Sequence, residues 1–137
     1  HGYPHGKEPV DGVTVAGILG RDPQQVFKTL VTRGASGGYC VFVIPADATL
    51  DLKKAARAAG DKSMEMVPVK ELLGLTGYIR GGCSPIGMKR KYPTYIDETC
   101  QLYDEIAVSA GERGHQMLIP YEAILEIASA KLVDIIL

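Results

Sequence analysis

The sequence has no tryptophan and only two phenylalanines, so its core must rest on aliphatic side chains and some of its seven tyrosines. It lacks any long uncharged apolar run, which excludes a helical membrane span and leaves no membrane association to expect. Cysteines are few. Cys40, Cys83 and Cys100 are far apart, form no C-x-x-C, and have no histidine at metal-ligand spacing. His1, His5 and His115 make no metal-binding pattern, so no metal and no cofactor is expected. The odd cysteine count without a signal peptide suits a reducing, cytoplasmic compartment. An excess of one charge is also lacking: 15 Lys+Arg stand against 16 Asp+Glu. That argues against strong, indiscriminate nucleic-acid binding and leaves room for a local basic patch. No G-x-G-x-x-G follows a strand pattern, and no G-x-S-x-G elbow exists.

What is present is a 46% apolar chain of 137 residues, enough for one soluble domain with a real core. A single domain over 1–137 is expected, with an incomplete beginning because the chain opens at His1. Sixteen glycines and eight prolines imply many turns. A short helix is predicted over 13–19, ended by Gly20, and another from the Asp22-Pro23 cap. Leu30 and Val31 lead into a strand ending at Arg33-Gly34, and Tyr39 to Ile44 is a buried strand. The two are expected to form a hairpin across a Gly-rich loop. Thr49 or Asp51 can cap a helix through Ala58, with Gly60 at its left-handed end. A half-buried strand follows at 63–67 and a short helix at 68–73. Further strands are predicted at 94–97, 105–109 and 116–119. Pro120 opens a helix with Ile124, Leu125, Ile127 and Ala128 inward, and Val133 to Leu137 is a final strand. Strands and helices interleave without a regular period. The fold class is α+β, with one mixed, curled sheet and helices packed on it.

Four features bear on chemistry. Gly81-Gly82, in Leu75-Thr-Gly-Tyr-Ile-Arg-Gly-Gly-Cys-Ser-Pro-Ile-Gly87, allow backbone N–H groups to face a phosphate, a carboxylate or a developing oxyanion. The same glycines serve equally as a sharp chain reversal at a sheet edge. Lys28 shares a face with Val26 and Leu30 if the chain is extended there, and points into a pocket; if the chain is helical, it is solvated. Ser109, at a strand end beside Gly111, either donates to a substrate or caps the turn. Met88-Lys-Arg-Lys91 flanks the Gly-rich loop, and Lys53, Lys54 and Arg57 form a second basic group on one helix. Both suit a polyanion, and both read equally as solvated faces. The cysteines read as core or bystander residues, since none has an obvious activating base.

These segments, in order, carry a resemblance. Lys28-Thr-Leu-Val31, Leu50-Asp-Leu-Lys-Lys-Ala-Ala56, Thr76-Gly-Tyr-Ile-Arg-Gly-Gly-Cys-Ser-Pro-Ile-Gly87, Pro93-Thr-Tyr-Ile-Asp97, Val108-Ser-Ala-Gly-Glu-Arg-Gly114 and Lys131-Leu-Val-Asp-Ile135 are similar to the YbaK/EbsC family of aminoacyl-tRNA deacylases. That family is related to the editing domain of bacterial prolyl-tRNA synthetase. The Gly-rich segment looks closer to the branch that clears cysteine from prolyl-tRNA than to the branch that clears alanine. The resemblance implies that Lys28 is the essential lysine at the pocket mouth, and that Gly81 and Gly82 hold the substrate through their backbone. It further implies that Tyr3, Thr29 and Ser109 line the pocket. Gln116 stands where the family often has aspartate, and Asp11 where it has an aromatic. The implied substrate is the 3′ acceptor end of aminoacyl-tRNA, with prolyl-tRNA synthetase as a partner that presents it. Release of cysteine through its own thiol is the implied route. Deacylation of another amino acid such as alanine, or a non-catalytic tRNA 3′-end binding module, are the alternatives.

Overall fold

The computed structural model describes residues 25–68, 70, 71, 74, 85, 92–109 and 116–137. Strand β1 (Phe27–Gly34) and strand β2 (Tyr39–Pro45) pair antiparallel from Phe27–Pro45 to Arg33–Tyr39. Their turn is built on glycine: Gly37 has φ 93°, and the Gly34 N–H donates to the Gly38 carbonyl at 2.8 Å. The expected hairpin is present, and β1 starts earlier than the Leu30–Val31 signal suggested. Full pairing with the apolar β2 keeps the chain extended through Lys28.

Helix α1 (Leu52–Ala59) has both expected ends. The Asp51 carboxylate accepts from the backbone N–H groups of Lys53 at 2.9 Å and Lys54 at 3.1 Å, satisfying two otherwise orphaned donors. Gly60 sits in the left-handed region at φ 71°. Strand β3 (Met64–Met66) then pairs antiparallel with the far end of β1. Met64 is buried in the cluster that holds Ala55 and Ala56 of α1, whereas Met66 is exposed. Strand β4 (Thr94–Asp97) matches its predicted span and lies parallel to β2. A 3-10 turn at Glu98–Leu102, which the sequence patterns did not signal, leads to strand β5 (Ile106–Ser109). Strand β6 (Gln116–Ile119) pairs antiparallel with β5, followed by helix α2 (Tyr121–Ile127) and strand β7 (Lys131–Val133).

The fold is α+β, as expected. Five strands form a mixed sheet in the order β3-β1-β2-β4-β7, and β5–β6 is a two-stranded ribbon. A parallel bridge between Val26 and Ala107 ties that ribbon to the head of β1. Alternation along the strands makes two apolar layers. Phe42, Ile44 and Tyr95 meet Ala55, Leu50 and Ile135 on the α1 side. The Phe42 and Tyr95 rings stack there at 5.3 Å. Phe27, Val43 and Ile96 meet Ile106, Val108 and Ile124 on the ribbon side. Burying side chains of this size contributes roughly 1.5–3 kcal/mol each.

Two expectations are corrected. Ile127 is not inward: it is 57% exposed. At about 100° per residue, Ile124, Ala128 and Leu125 share one arc facing the ribbon side, and Ile127 falls outside it. The final strand is Lys131–Val133 rather than Val133 to Leu137. Beyond Val133 the chain is drawn off the ladder. The Ile135 N–H donates to the buried Asp97 carboxylate at 3.1 Å, and the Ile135 carbonyl accepts from the Asp51 N–H at 2.8 Å. Leu137 ends 80% exposed. The helices predicted over 13–19 and from Asp22, much of the 68–73 helix, and nearly all of the Gly-rich segment lie outside the described residues. Among the described residues, no helix is long and apolar enough to cross a membrane.

Candidate active site

Lys28 lies near the head of β1, directly opposite Ile44 of β2, and is half-buried. Burial holds its ammonium below the ordinary lysine value, while the Asp47 carboxylate pulls the other way. Burial is the larger effect, because removing an ammonium from water penalises its charged form. The extended alternative for Lys28 is therefore the one observed: it shares its strand face with Val26 and Leu30.

Thr29, one residue on, points to the other side of β1, opposite Val43. Its hydroxyl oxygen is buried with no hydrogen-bond partner among the described residues. Ser109 and Gln116 face each other at the end of the β5–β6 ribbon. The isolated parallel bridge between Val26 and Ala107 ties the strand that carries Ser109 to the head of β1, two residues before Lys28. Thus Lys28 and Thr29 stand on opposite faces of β1, and Ser109 and Gln116 are paired on the ribbon that is bridged to the head of that strand. Tyr3, Gly81 and Gly82 lie outside the described residues.

The basic helix group is partly committed elsewhere. Lys54 donates to the Asp134 carboxylate at 3.1 Å and to the Ile136 carbonyl at 2.9 Å, clamping the C-terminal segment onto α1. Lys53 and Arg57 contact no acid among the described residues and are solvent-facing. Lys89, Arg90 and Lys91 lie outside the described residues. Cys40 and Cys100 are buried free thiols; the strand pattern predicted burial for Cys40, and the burial of Cys100 is a finding of the structure. Burial raises both thiol pKa values, that of Cys100 to about 12 with Asp97 adding to the effect. Neither is set up to be a nucleophile. Asp47 was missed by the sequence reading, since a single acid between a strand end and a helix cap resembles any turn residue.

A profile of the aminoacyl-tRNA editing domain matches residues 8–127. The chain belongs to that family. Aminoacyl-tRNA deacylation is accordingly its reaction class. Among curated relatives, this editing domain is 51% identical over 122 residues to a protein of Enterococcus faecalis, EbsC. The match spans 89% of this chain and 74% of EbsC, which is provisionally named a Cys-tRNA(Pro)/Cys-tRNA(Cys) deacylase. A solved structure provisionally described as a trans-editing enzyme for prolyl-tRNA synthetase superposes with a TM-score of 0.84 at 27% identity, over 92% of this chain and 79% of its own. A hypothetical protein, APE2540, has the same fold at a TM-score of 0.86 and 22% identity, over 96% of this chain and 87% of its own.

Proposed function

We propose that this editing domain acts in trans to release cysteine from Cys-tRNA(Pro). The observation that carries this reading is the 51% identity to EbsC over 89% of the chain. The ligand is the 3′ acceptor end of the charged tRNA. Prolyl-tRNA synthetase is the partner that presents it, a role supported by the trans-editing neighbour.

The half-buried ammonium of Lys28 engages the terminal phosphate or the ester region. The backbone N–H groups of Gly81 and Gly82 stabilise the developing oxyanion, one such donor being worth about 3 kcal/mol. Tyr3, Ser109 and Gln116 line the substrate pocket, and Thr29, on the opposite face of β1, backs the strand that carries Lys28. The substrate supplies the nucleophile. Its thiolate attacks its own carbonyl carbon, so a C–S bond forms as the ester C–O bond breaks. The ribose oxygen takes the proton that the thiol gave up, and water then opens the thiolactone to free cysteine. A site of this kind needs positioning rather than a protein nucleophile, and positioning alone contributes up to roughly 7–11 kcal/mol. The buried, raised thiols of Cys40 and Cys100 support that division of labour. Selectivity follows from chemistry, because alanine and proline lack the thiol, whereas a pocket resolves one methylene by only about 1–3 kcal/mol.

The test is a deacylation panel of Cys-tRNA(Pro), Cys-tRNA(Cys), Ala-tRNA(Pro) and a serine-charged tRNA(Pro). Cysteine should leave fastest and serine slowly, although the two differ only in sulfur for oxygen. Faster release of alanine would overturn the thiol-assisted route.

A further inference from the structure

Asp47 sits in a hydrogen-bonded turn at the end of the hairpin with its side chain in solvent. The Ala46 N–H donates to the Val26 carbonyl at 2.7 Å, and the Ala48 N–H to the Pro45 carbonyl at 3.0 Å. These bonds fix the Asp47 backbone in a turn against the head of β1, over the buried trio Val26, Ala46 and Ala107. The Asp47 side chain is exposed and makes no hydrogen bond or direct ion pair among the described residues. It lines a cleft of about 300 Å³ together with Pro45, Thr99, Tyr103 and Ile136. Lys28 is within its electrostatic reach but not in contact, and burial outweighs Asp47 at that lysine. Lys28 does not line that cleft, so a half-buried cation and an exposed, unpaired anion stand apart near one end of the hairpin, a spacing that a ligand carrying both charges at a distance can span. An aminoacyl ester of a nucleotide does so, with an α-ammonium and a phosphodiester.

Resting on the deacylase reading above, we propose that Asp47 accepts the α-ammonium of the aminoacyl group. The enzyme thereby selects esters with a free amine over N-acylated ones, the class that includes peptidyl-tRNA.

The experiment compares Cys-tRNA(Pro) with N-acetyl-Cys-tRNA(Pro), which keeps the thiol and loses only the ammonium. A parallel binding arm uses tRNA(Pro) joined to cysteine through a non-hydrolysable 3′-amide, with free or acetylated amine. The native protein should favour the free amine by about tenfold to a hundredfold, the size of one charge-assisted hydrogen bond. Asp47→Asn should erase that ratio by weakening only the free-amine ligand, and Asp47→Glu should restore part of it. A native protein that treats both amines alike, or an Asp47→Asn variant that keeps the ratio, overturns the assignment. Failure to release cysteine at all would overturn the deacylase reading instead, and the binding arm would still decide Asp47.

Discussion

Lys28 and Ile44 stand opposite each other in the β1–β2 ladder, a half-buried cation against a side chain with no solvent exposure. This half-burial sets the lysine's chemistry. Burial strips water from the ammonium, and among the described residues Asp47 offsets part of the loss. Replacing Lys28 by methionine should therefore separate activity from stability. Deacylation should fall by about 10²–10³, the usual loss when a group stabilising developing charge is removed, while the thermal midpoint holds or rises. Parallel kinetics and thermal melts check this; unchanged activity would remove Lys28 from the site.

The same burial fixes a pH dependence. The folded-state pKa of Lys28 lies below the unfolded value, so the unfolded chain binds the proton more readily across the interval between them. Lys28 thus penalises the fold below its folded pKa, and the penalty is relieved as pH rises toward 10.5. The stability of the native protein relative to Lys28→Met should improve over that alkaline interval. Denaturant titrations of both proteins at several pH values measure the difference.

Asp97 joins two distant parts of the chain. Its carboxylate accepts from Thr99 N–H at 3.1 Å, Thr99 Oγ1 at 2.6 Å and Ile135 N–H at 3.1 Å, with no solvent exposure. Asp97→Ala strands these donors, each at about 1–3 kcal/mol when buried. A loss of several kcal/mol by chemical denaturation is expected, with early hydrogen exchange in the segment after Val133.

The ends of α1 should respond as caps. Asp51→Ala removes the acceptor for two backbone donors and should cost about 1 kcal/mol. Gly60→Ala forces a Cβ into the left-handed region at φ 71° and should cost roughly 1–2 kcal/mol. Both should leave deacylation rates unchanged, because neither residue borders Lys28.

Cys40 and Cys100 should resist alkylation at pH 8 in the folded protein, since burial suppresses both thiolates. Mass spectrometry after iodoacetamide treatment reads this directly. Alanine at either position should lower stability and spare turnover; loss of turnover in a folded variant would implicate the thiol.

The local elements were legible from the chain because their causes are local. An apolar run bounded by Pro45 made β2, Asp51 and Gly60 marked the two ends of α1, and glycines marked the hairpin turn. The ordered motifs from Lys28 onward were enough to indicate the editing family, which the profile match bears out. Tertiary structure decided the rest, through partners far apart in sequence. Whether Lys28 was solvated or set against a core depended on β2 lying beside it. The exit of the chain after Val133 depended on Asp97, 38 residues away from Ile135. The exposure of Ile127 depended on which arc of a seven-residue helix met the ribbon side. The approach of Asp47 to Lys28 depended on the Ala46–Val26 hydrogen bond that folds the end of the hairpin back on its start. Periodicity and capping act over a few residues, but electrostatic environment and burial belong to whichever surfaces meet, and no short stretch of sequence contains both.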